Sequence, residues 1–187
     1  MSKRDDILNA TLDLIDEEGL QSVTFAKIMK RASVGSGTVF NYFSNKEELV
    51  NELYRVSRKL LGENLMMGYD PELSLYERYK CLQSNRIRFA MAFPKHFRFI
   101  DAYSYSPCIK PELRKMDDDS TSREIVLSLI REGQKNGVIR EMDVHICHSI
   151  MHGIVTAIVK GFYVNKYELT DIQIQQTLEA SWKAVLV

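Results

Sequence analysis

The sequence predicts an all-α protein built from two domains. Proline and glycine are scarce, at four and nine in 187 residues, and long stretches of apolar residues recur at helical spacing. The alternating apolar and polar residues that indicate strands are rare. A break at 62–72, which contains two glycines and the motif "YDPE", separates a small unit at 1–61 from a larger helical body at 62–187.

The first unit is predicted to contain a supporting helix, two short helices and a connecting helix. Apolar periodicity places the supporting helix at 5–18. Thr24 can cap the second helix, and a turn at 33–35 leads to the third. The motif "SNKE" has the spacing of a capping box with Ser44 as N-cap, and predicts the connecting helix over 45–61. The apolar residues of the third helix, of which Phe40 lies nearest the surface, are Val39, Phe40 and Phe43.

The second unit is predicted to contain six helices. Pro94, Pro107, Pro111 and Gly137 separate several of them, and "TDIQ" at Thr170 has the spacing of a capping box. The predicted helices are 74–92, 95–103, 109–116, 119–135, 143–165 and 171–185.

Composition narrows the class of protein. Hydrophobic residues make up 45% and charged residues 27% of the chain, which is typical of a globular protein. No apolar run approaches the roughly 18–20 residues that span a bilayer, so no membrane partner is expected. The three cysteines are odd in number and widely spaced, which suits a reducing compartment. These features predict a cytoplasmic protein.

The formal net charge is zero, but the charges are unevenly distributed. The segment 24–46 contains no Asp or Glu, whereas acidic residues crowd both of its flanks. A basic segment of this kind suits a DNA phosphate backbone, because each neutralised phosphate releases counterions. Two short helices joined by a turn in such a segment favour a helix-turn-helix DNA-binding domain over 1–61, with the motif at about 24–43. The basic residues are Lys27, Lys30, Arg31 and Lys46.

The stretch "GSGT" at 35–38 has other interpretations. A Walker loop would need a preceding strand and a lysine after the second glycine, and a nucleophile elbow would need Gly-x-Ser-x-Gly after a strand. Neither pattern is present. On these residues alone, the stretch can also be interpreted as a flexible turn without function. The sequence shows no catalytic constellation and no cofactor motif, so we expect neither enzymatic activity nor a cofactor.

The segment "TFAKIMKRASVGSGTVFNYFSNKEELV", residues 24–50, resembles the DNA-binding motif of the TetR/AcrR family of transcriptional regulators. The resemblance extends without gaps over the segment, and the helix at 5–18 matches in position. It implies a ligand-responsive repressor that binds double-stranded operator DNA as a homodimer, on a palindromic site, and responds to a small-molecule effector. It also implies that 62–187 serves regulation and dimerisation. The alternative is a helical protein-interaction module without DNA binding.

The resemblance also implies which residues contact DNA. Lys46 would contact phosphate, Asn41 would occupy a specificity position, and Tyr42 would hold the DNA backbone. Four positions depart from the family's usual residues: Met29 for Ala, Ser33 for the turn Gly, Gly35 for the capping Ser, and Phe40 for Tyr. The expected DNA contacts are Thr24, Lys27, Gly35, Ser36, Gly37, Thr38, Phe40, Asn41, Tyr42 and Lys46.

The predicted helix 143–165 carries a wide apolar face beside a row of small residues at spacing four. Small residues let a second helix approach closely. With the last helix, this face predicts a four-helix dimer interface, although an ordinary intrachain core stays the alternative. The predicted interface consists of Ile150, Gly153, Ile154, Ala157, Ile158, Gly161, Leu178 and Trp182.

A stripe of three histidines lies beside that face, at His145, His148 and His152. It can be a solvated surface, the polar wall of a ligand pocket, or a metal-sensing site. No carboxylate lies on the stripe, which weakens the metal interpretation. The aromatic segment 87–105 suggests a cavity for an apolar ligand. The predicted pocket residues are Arg88, Met91, Phe97, Tyr103, His148, His152 and Thr156.

Overall fold

A computed structural model of the chain describes residues 2–113 and 121–187, and this described part confirms the all-α prediction. Its nine α-helices are α1 (Lys3–Glu18), α2 (Phe25–Ala32), α3 (Ser36–Tyr42), α4 (Lys46–Leu65), α5 (Leu75–Ala92), α6 (Pro94–Tyr103), α7 (Thr121–Lys135), α8 (Val144–Tyr163) and α9 (Asp171–Lys183). One isolated antiparallel bridge pairs Ile139 with Leu186. The helix predicted over 109–116 lies partly outside the described residues.

The described residues divide into two compact units. The first contains 2–60 and 93–113, and the second contains 61–92 and 121–187. The predicted boundary after residue 61 falls next to the first of these crossing points, within α4. Helix α6 belongs to the first unit, although it follows α5 in the sequence.

The core of the first unit joins α1 to the two short helices and to α4. Ile7, Ile28, Val39 and Leu53 are each at most 1% exposed there. Two ion pairs also connect α1 with α6: Asp13 with Lys95 at 2.6 Å, and Asp16 with Arg98 at 2.7 Å. The supporting helix is therefore held from both sides, by apolar packing and by charge.

The second unit is built from α5, α7, α8 and α9. The Trp182 ring of α9 contacts the Tyr79 ring of α5, with centroids 5.1 Å apart. The Tyr79 hydroxyl donates a hydrogen bond to Ser181 at 2.7 Å, and Ser181 donates to the Met151 carbonyl of α8 at 3.0 Å. No helix in the described parts of the chain is long and apolar enough to span a bilayer.

The start of α4 differs by one residue from the prediction. Asn45, rather than Ser44, is the capping residue, because its Oδ1 accepts a hydrogen bond from the Glu48 N–H at 2.8 Å. Glu48 in turn accepts from the Ser44 N–H at 2.8 Å. Glu48 thus occupies the third position after the Asn45 cap, but its carboxylate accepts from the Ser44 N–H and not from the Asn45 N–H, so the reciprocal bond of a capping box is displaced by one residue.

Candidate nucleic-acid interface

Helices α2 and α3 are joined by a tight turn whose geometry is set at Ser33. This residue has φ 52° and ψ 47°, in the left-handed region that glycine favours. At the other end of α2, the Thr24 hydroxyl accepts a hydrogen bond from the Lys27 N–H, as the sequence predicted. The motif is therefore a short capped helix, a one-residue reversal and a second short helix.

Helix α3 has one buried and one exposed face. Val39 and Phe43 are 0% and 2% exposed and anchor the helix in the core of its unit. Phe40, which the apolar pattern placed nearest the surface, is 53% exposed. Its ring contacts Phe25 of α2 at a centroid distance of 5.1 Å. The exposed face presents side chains that can reach a partner: Ser36, Phe40, Asn41 and Tyr42.

The glycines before and within α3 leave open space in front of the helix. A Cβ atom at Gly35 or Gly37 would meet no atom of the chain within 4 Å. Gly35 has φ −78°, which any residue can adopt. Neither intrachain packing nor the Gly35 backbone therefore requires these glycines. They leave the first turn of α3 without side chains at these two positions.

The basic segment is less positive in three dimensions than in sequence. Lys27 pairs with Glu18, and Arg31 forms two hydrogen bonds with Glu17, at 2.9 and 2.7 Å. These hydrogen bonds lower the pKa of Glu17, so its carboxylate is ionised at neutral pH. Glu17 and Glu18 lie at the end of α1, outside the segment 24–46. The acid-free composition of that segment therefore does not show that its basic residues are paired. Lys30 is exposed and has no such partner in the described part of the chain.

Lys46 lies at the first residue of α4, beside the motif. Its ammonium group donates a hydrogen bond to the Leu20 carbonyl at 2.6 Å. A carbonyl partner leaves the charge intact, and an ammonium group has two further donors. Lys46 is thus a fixed positive charge at one end of the exposed face.

The structure distributes the predicted pocket residues between the two units. Phe97 and Tyr103 lie in the first unit, where the Tyr103 hydroxyl accepts a hydrogen bond from the Leu20 N–H at 3.2 Å. Arg88 and Met91 are exposed residues of the second unit. The three other predicted pocket residues of the second unit are buried or partly buried: His148, His152 and Thr156.

Two rings of the histidine stripe are stacked on each other. The His148 and His152 rings are stacked, with centroids 5.6 Å apart and planes 14° apart. Stacked rings direct their nitrogens side by side rather than to a common point. Among the residues that the structure describes, no three His, Cys, Asp or Glu side chains form a metal-binding group.

Helix α8 turns one half of its apolar surface inward and the other outward. Gly153 and Ala157 are exposed, whereas Leu178 and Trp182 of α9 lie in the core of the second unit. Gly161 also has an intrachain role, because a Cβ there would lie 2.0 Å from the Tyr167 hydroxyl. Two larger apolar residues are exposed on these helices, Ile146 of α8 at 56% and Ile172 of α9 at 71%. The sequence assigned the last helix, with Ile172, to the dimer interface, whereas Ile146 was not assigned to it.

A capped helix-turn-helix with one exposed helix face, in a chain whose second unit is also helical, is typical of a helix-turn-helix DNA-binding regulator. Two family models match the chain: "Bacterial regulatory proteins, tetR family" over residues 7–53 and "Tetracyclin repressor-like, C-terminal domain" over 74–186. The chain belongs to the TetR family of transcriptional regulators.

Relatives and solved structures support this assignment over the full length. An uncharacterized HTH-type transcriptional regulator of Haemophilus influenzae is 22% identical and covers 96% of this chain and 93% of that protein. The fatty acid metabolism regulator protein of Bacillus subtilis is 25% identical and covers 89% and 87%. A crystal structure of a TetR-family regulator from Shewanella sp. PV-4 has the same fold, with a TM-score of 0.87 at 23% identity and complete coverage of both chains.

Proposed function

We propose that the chain is a repressor that binds a palindromic operator as a homodimer and releases it when a small molecule binds in the helical body. The observation that carries the proposal is the open face of α3. Exposed polar side chains and an exposed aromatic ring surround a first turn that has no side-chain obstruction. A helix of this kind fits the major groove, whose width accommodates one helix.

The residues divide into those that position the protein and those that read bases. Lys30, Tyr42 and Lys46 suit phosphate contacts, which fix orientation but carry no sequence information. Asn41 and Thr38 suit hydrogen bonds to base edges, and Phe40 suits the methyl group of thymine. The departure from tyrosine at Phe40 therefore replaces a polar contact with an apolar one.

Two copies of the motif are needed to read two half-sites about 34–36 Å apart. The exposed surface around Gly153 and Ala157 of α8 suits helix packing between two copies of the chain. Helix α4 is continuous from Lys46, at the motif, to Leu65 in the second unit. It offers a covalent path by which an effector in the body alters the position of the motif.

Fluorescence anisotropy with labelled duplex tests the proposal. The DNA is the region upstream of the chain's own gene, with a random duplex of equal length as competitor. Specific binding should weaken steeply as salt rises, and Lys46→Ala or Lys30→Ala should each reduce the slope of log K against log salt by about 0.9. Lys183→Ala, which removes an exposed lysine paired with Glu179 in the second unit, is the matched control.

Two outcomes separate the parts of this proposal. Binding without preference for the upstream region would reject autoregulation, and selection from a random pool would then identify the operator. If no duplex binds above the level of a non-specific protein, the DNA-binding role is wrong.

A further inference from the structure

Gln83 is a buried polar side chain of α5 whose amide oxygen has no hydrogen-bond partner in the described residues. The residue is 1% exposed. Buried polar atoms are nearly always hydrogen-bonded, because an unpaired one loses its hydration without compensation. A hydrogen-bond donor for this oxygen is therefore missing among the described residues.

The face of α5 that carries Gln83 is directed towards α8 and α9. Tyr79, one turn earlier, donates to Ser181 of α9, which donates to the Met151 carbonyl of α8. The Ala90 carbonyl, two turns beyond Gln83, accepts a hydrogen bond from α8 at 2.7 Å. Gln83 thus lies inside the helical body, between two places where α5 is bonded to its neighbours.

Two arginines bring positive charge to the His148 ring of α8. Arg86 follows Gln83 by three residues, and its charge acts on both the Tyr79 hydroxyl and the His148 ring. Arg123 of α7 also acts on His148, and its buried Nε has no hydrogen-bond partner in the described part of the chain. Burial, and then these two charges, lower the pKa of His148 to about 4, so the ring is neutral at pH 7.

We propose that Gln83, Arg86, Arg123 and His148 bind a small organic acid that carries a hydroxyl or amino donor beside its carboxylate. Guanidinium groups pair strongly with carboxylates, often through two hydrogen bonds. A neutral ligand would leave the Arg123 guanidinium without a negative partner from the ligand, and an acid without a donor would leave the Gln83 oxygen unpaired. The site deepens the proposed function, on which it rests, by naming the chemical class of the effector.

The rest of the ligand is apolar, because the three helices around the cluster contribute buried apolar side chains, among them Ile87, Ile130 and Val155. Three probes of equal chain length separate the contributions: 2-hydroxyhexanoate, hexanoate and hexanamide. Isothermal titration calorimetry on the full chain without DNA measures each affinity. We expect 2-hydroxyhexanoate to bind about fivefold more tightly than hexanoate, and hexanamide at least about tenfold more weakly than hexanoate.

Single substitutions assign these differences to residues. Gln83→Met keeps the side-chain volume and should make 2-hydroxyhexanoate and hexanoate bind equally. It should also raise the Tm of the unliganded chain by about 2–4 °C, because it removes the unpaired oxygen. Arg123→Gln should weaken both acids at least about tenfold. Arg131→Gln, which neutralises an exposed arginine of the same helix, should change neither affinity.

Failure of the site and failure of the proposed function give different results. If none of the probes binds at millimolar concentration, or if Arg123→Gln and Arg131→Gln behave alike, the site is wrong even when the chain binds its operator. If 2-hydroxyhexanoate binds as expected but leaves operator affinity unchanged, the site is confirmed and the effector-controlled release is wrong.

Discussion

At the scale of single residues, Ser33 carries a backbone conformation that suits glycine. An L-residue in the left-handed region is destabilised by about 1–2 kcal/mol, and glycine avoids this at a smaller entropic cost. We therefore expect Ser33→Gly to raise the free energy of unfolding by about 0.5–1 kcal/mol, measured by urea denaturation. Asn165, with φ 55°, is the matched control. Asparagine tolerates this region, so Asn165→Gly should give a smaller gain, and an equal gain at both positions would contradict the explanation.

The pairing of Lys27 with Glu18 leads to a second prediction at this scale. Exposed ion pairs contribute little to stability, so Glu18→Gln should leave the fold intact. The substitution removes a negative charge beside the motif and releases the Lys27 ammonium group from its carboxylate partner. Operator affinity should rise, and the slope of log K against log salt should steepen by up to about 0.9, as for one added phosphate contact.

The control for this experiment removes a similar pair elsewhere. Glu124→Gln releases Arg131 in the second unit, where both side chains are about half exposed. The Glu124→Gln variant should have the operator affinity and the salt slope of the wild type. If Glu18→Gln also changes nothing, Lys27 makes no phosphate contact.

Side chains that interact within one helix could be predicted from the sequence, whereas those that interact across helices could not. The Thr24 cap and the inward positions of Ile28 and Val39 follow from local spacing. The partners of Lys27 and Arg31 lie nine and fourteen residues earlier in the chain. No local pattern indicates that the last turn of α1 lies beside α2. The contact between the Phe40 and Phe25 rings likewise joins two helices and does not follow from local spacing.

At the scale of helices, periodicity and capping signals located the elements but not all of their ends or partners. The helices at 75–92, 121–135 and 144–163 begin within two residues of the predicted positions. Helix α6 was predicted, but its place beside α1 was not, because its ion pairs join residues 82 positions apart. An amphipathic pattern specifies which face is buried and leaves open which helix covers it.

The shifted start of α4 can be tested by substitution. Asn45→Ala removes the acceptor for the Glu48 N–H and should lower the free energy of unfolding by about 1 kcal/mol. Ser44→Ala leaves that acceptor in place and removes only the exposed hydroxyl that donates to Glu48. It should therefore have a smaller effect. Urea denaturation measures both free energies of unfolding. A larger loss for Ser44→Ala than for Asn45→Ala would identify Ser44 as the capping residue.

At the scale of the whole molecule, the proposed dimer surface must use what the second unit leaves exposed. Along α8, Cys147, Met151, Val155 and Val159 are at most 1% exposed and face the interior. The opposite face is centred near Gly153 and continues to Ala157, with the exposed Ile146 about two turns before Gly153. Because Leu178 and Trp182 already fill the core, they support this surface from within rather than contact a partner.

Gly153→Arg provides a direct test of that surface. No atom of the chain lies within 4 Å of a Cβ at this position, and arginine has a higher helix propensity than glycine, so the protomer should fold. A long charged side chain at the centre of a close helix contact should prevent association. Multi-angle light scattering should then give the 21.6 kDa mass of one chain, with operator affinity reduced at least about a hundredfold by the loss of the second half-site. Ser128→Arg, at an exposed position of α7, should leave both quantities unchanged. A dimeric Gly153→Arg variant with full operator affinity would place the interface elsewhere.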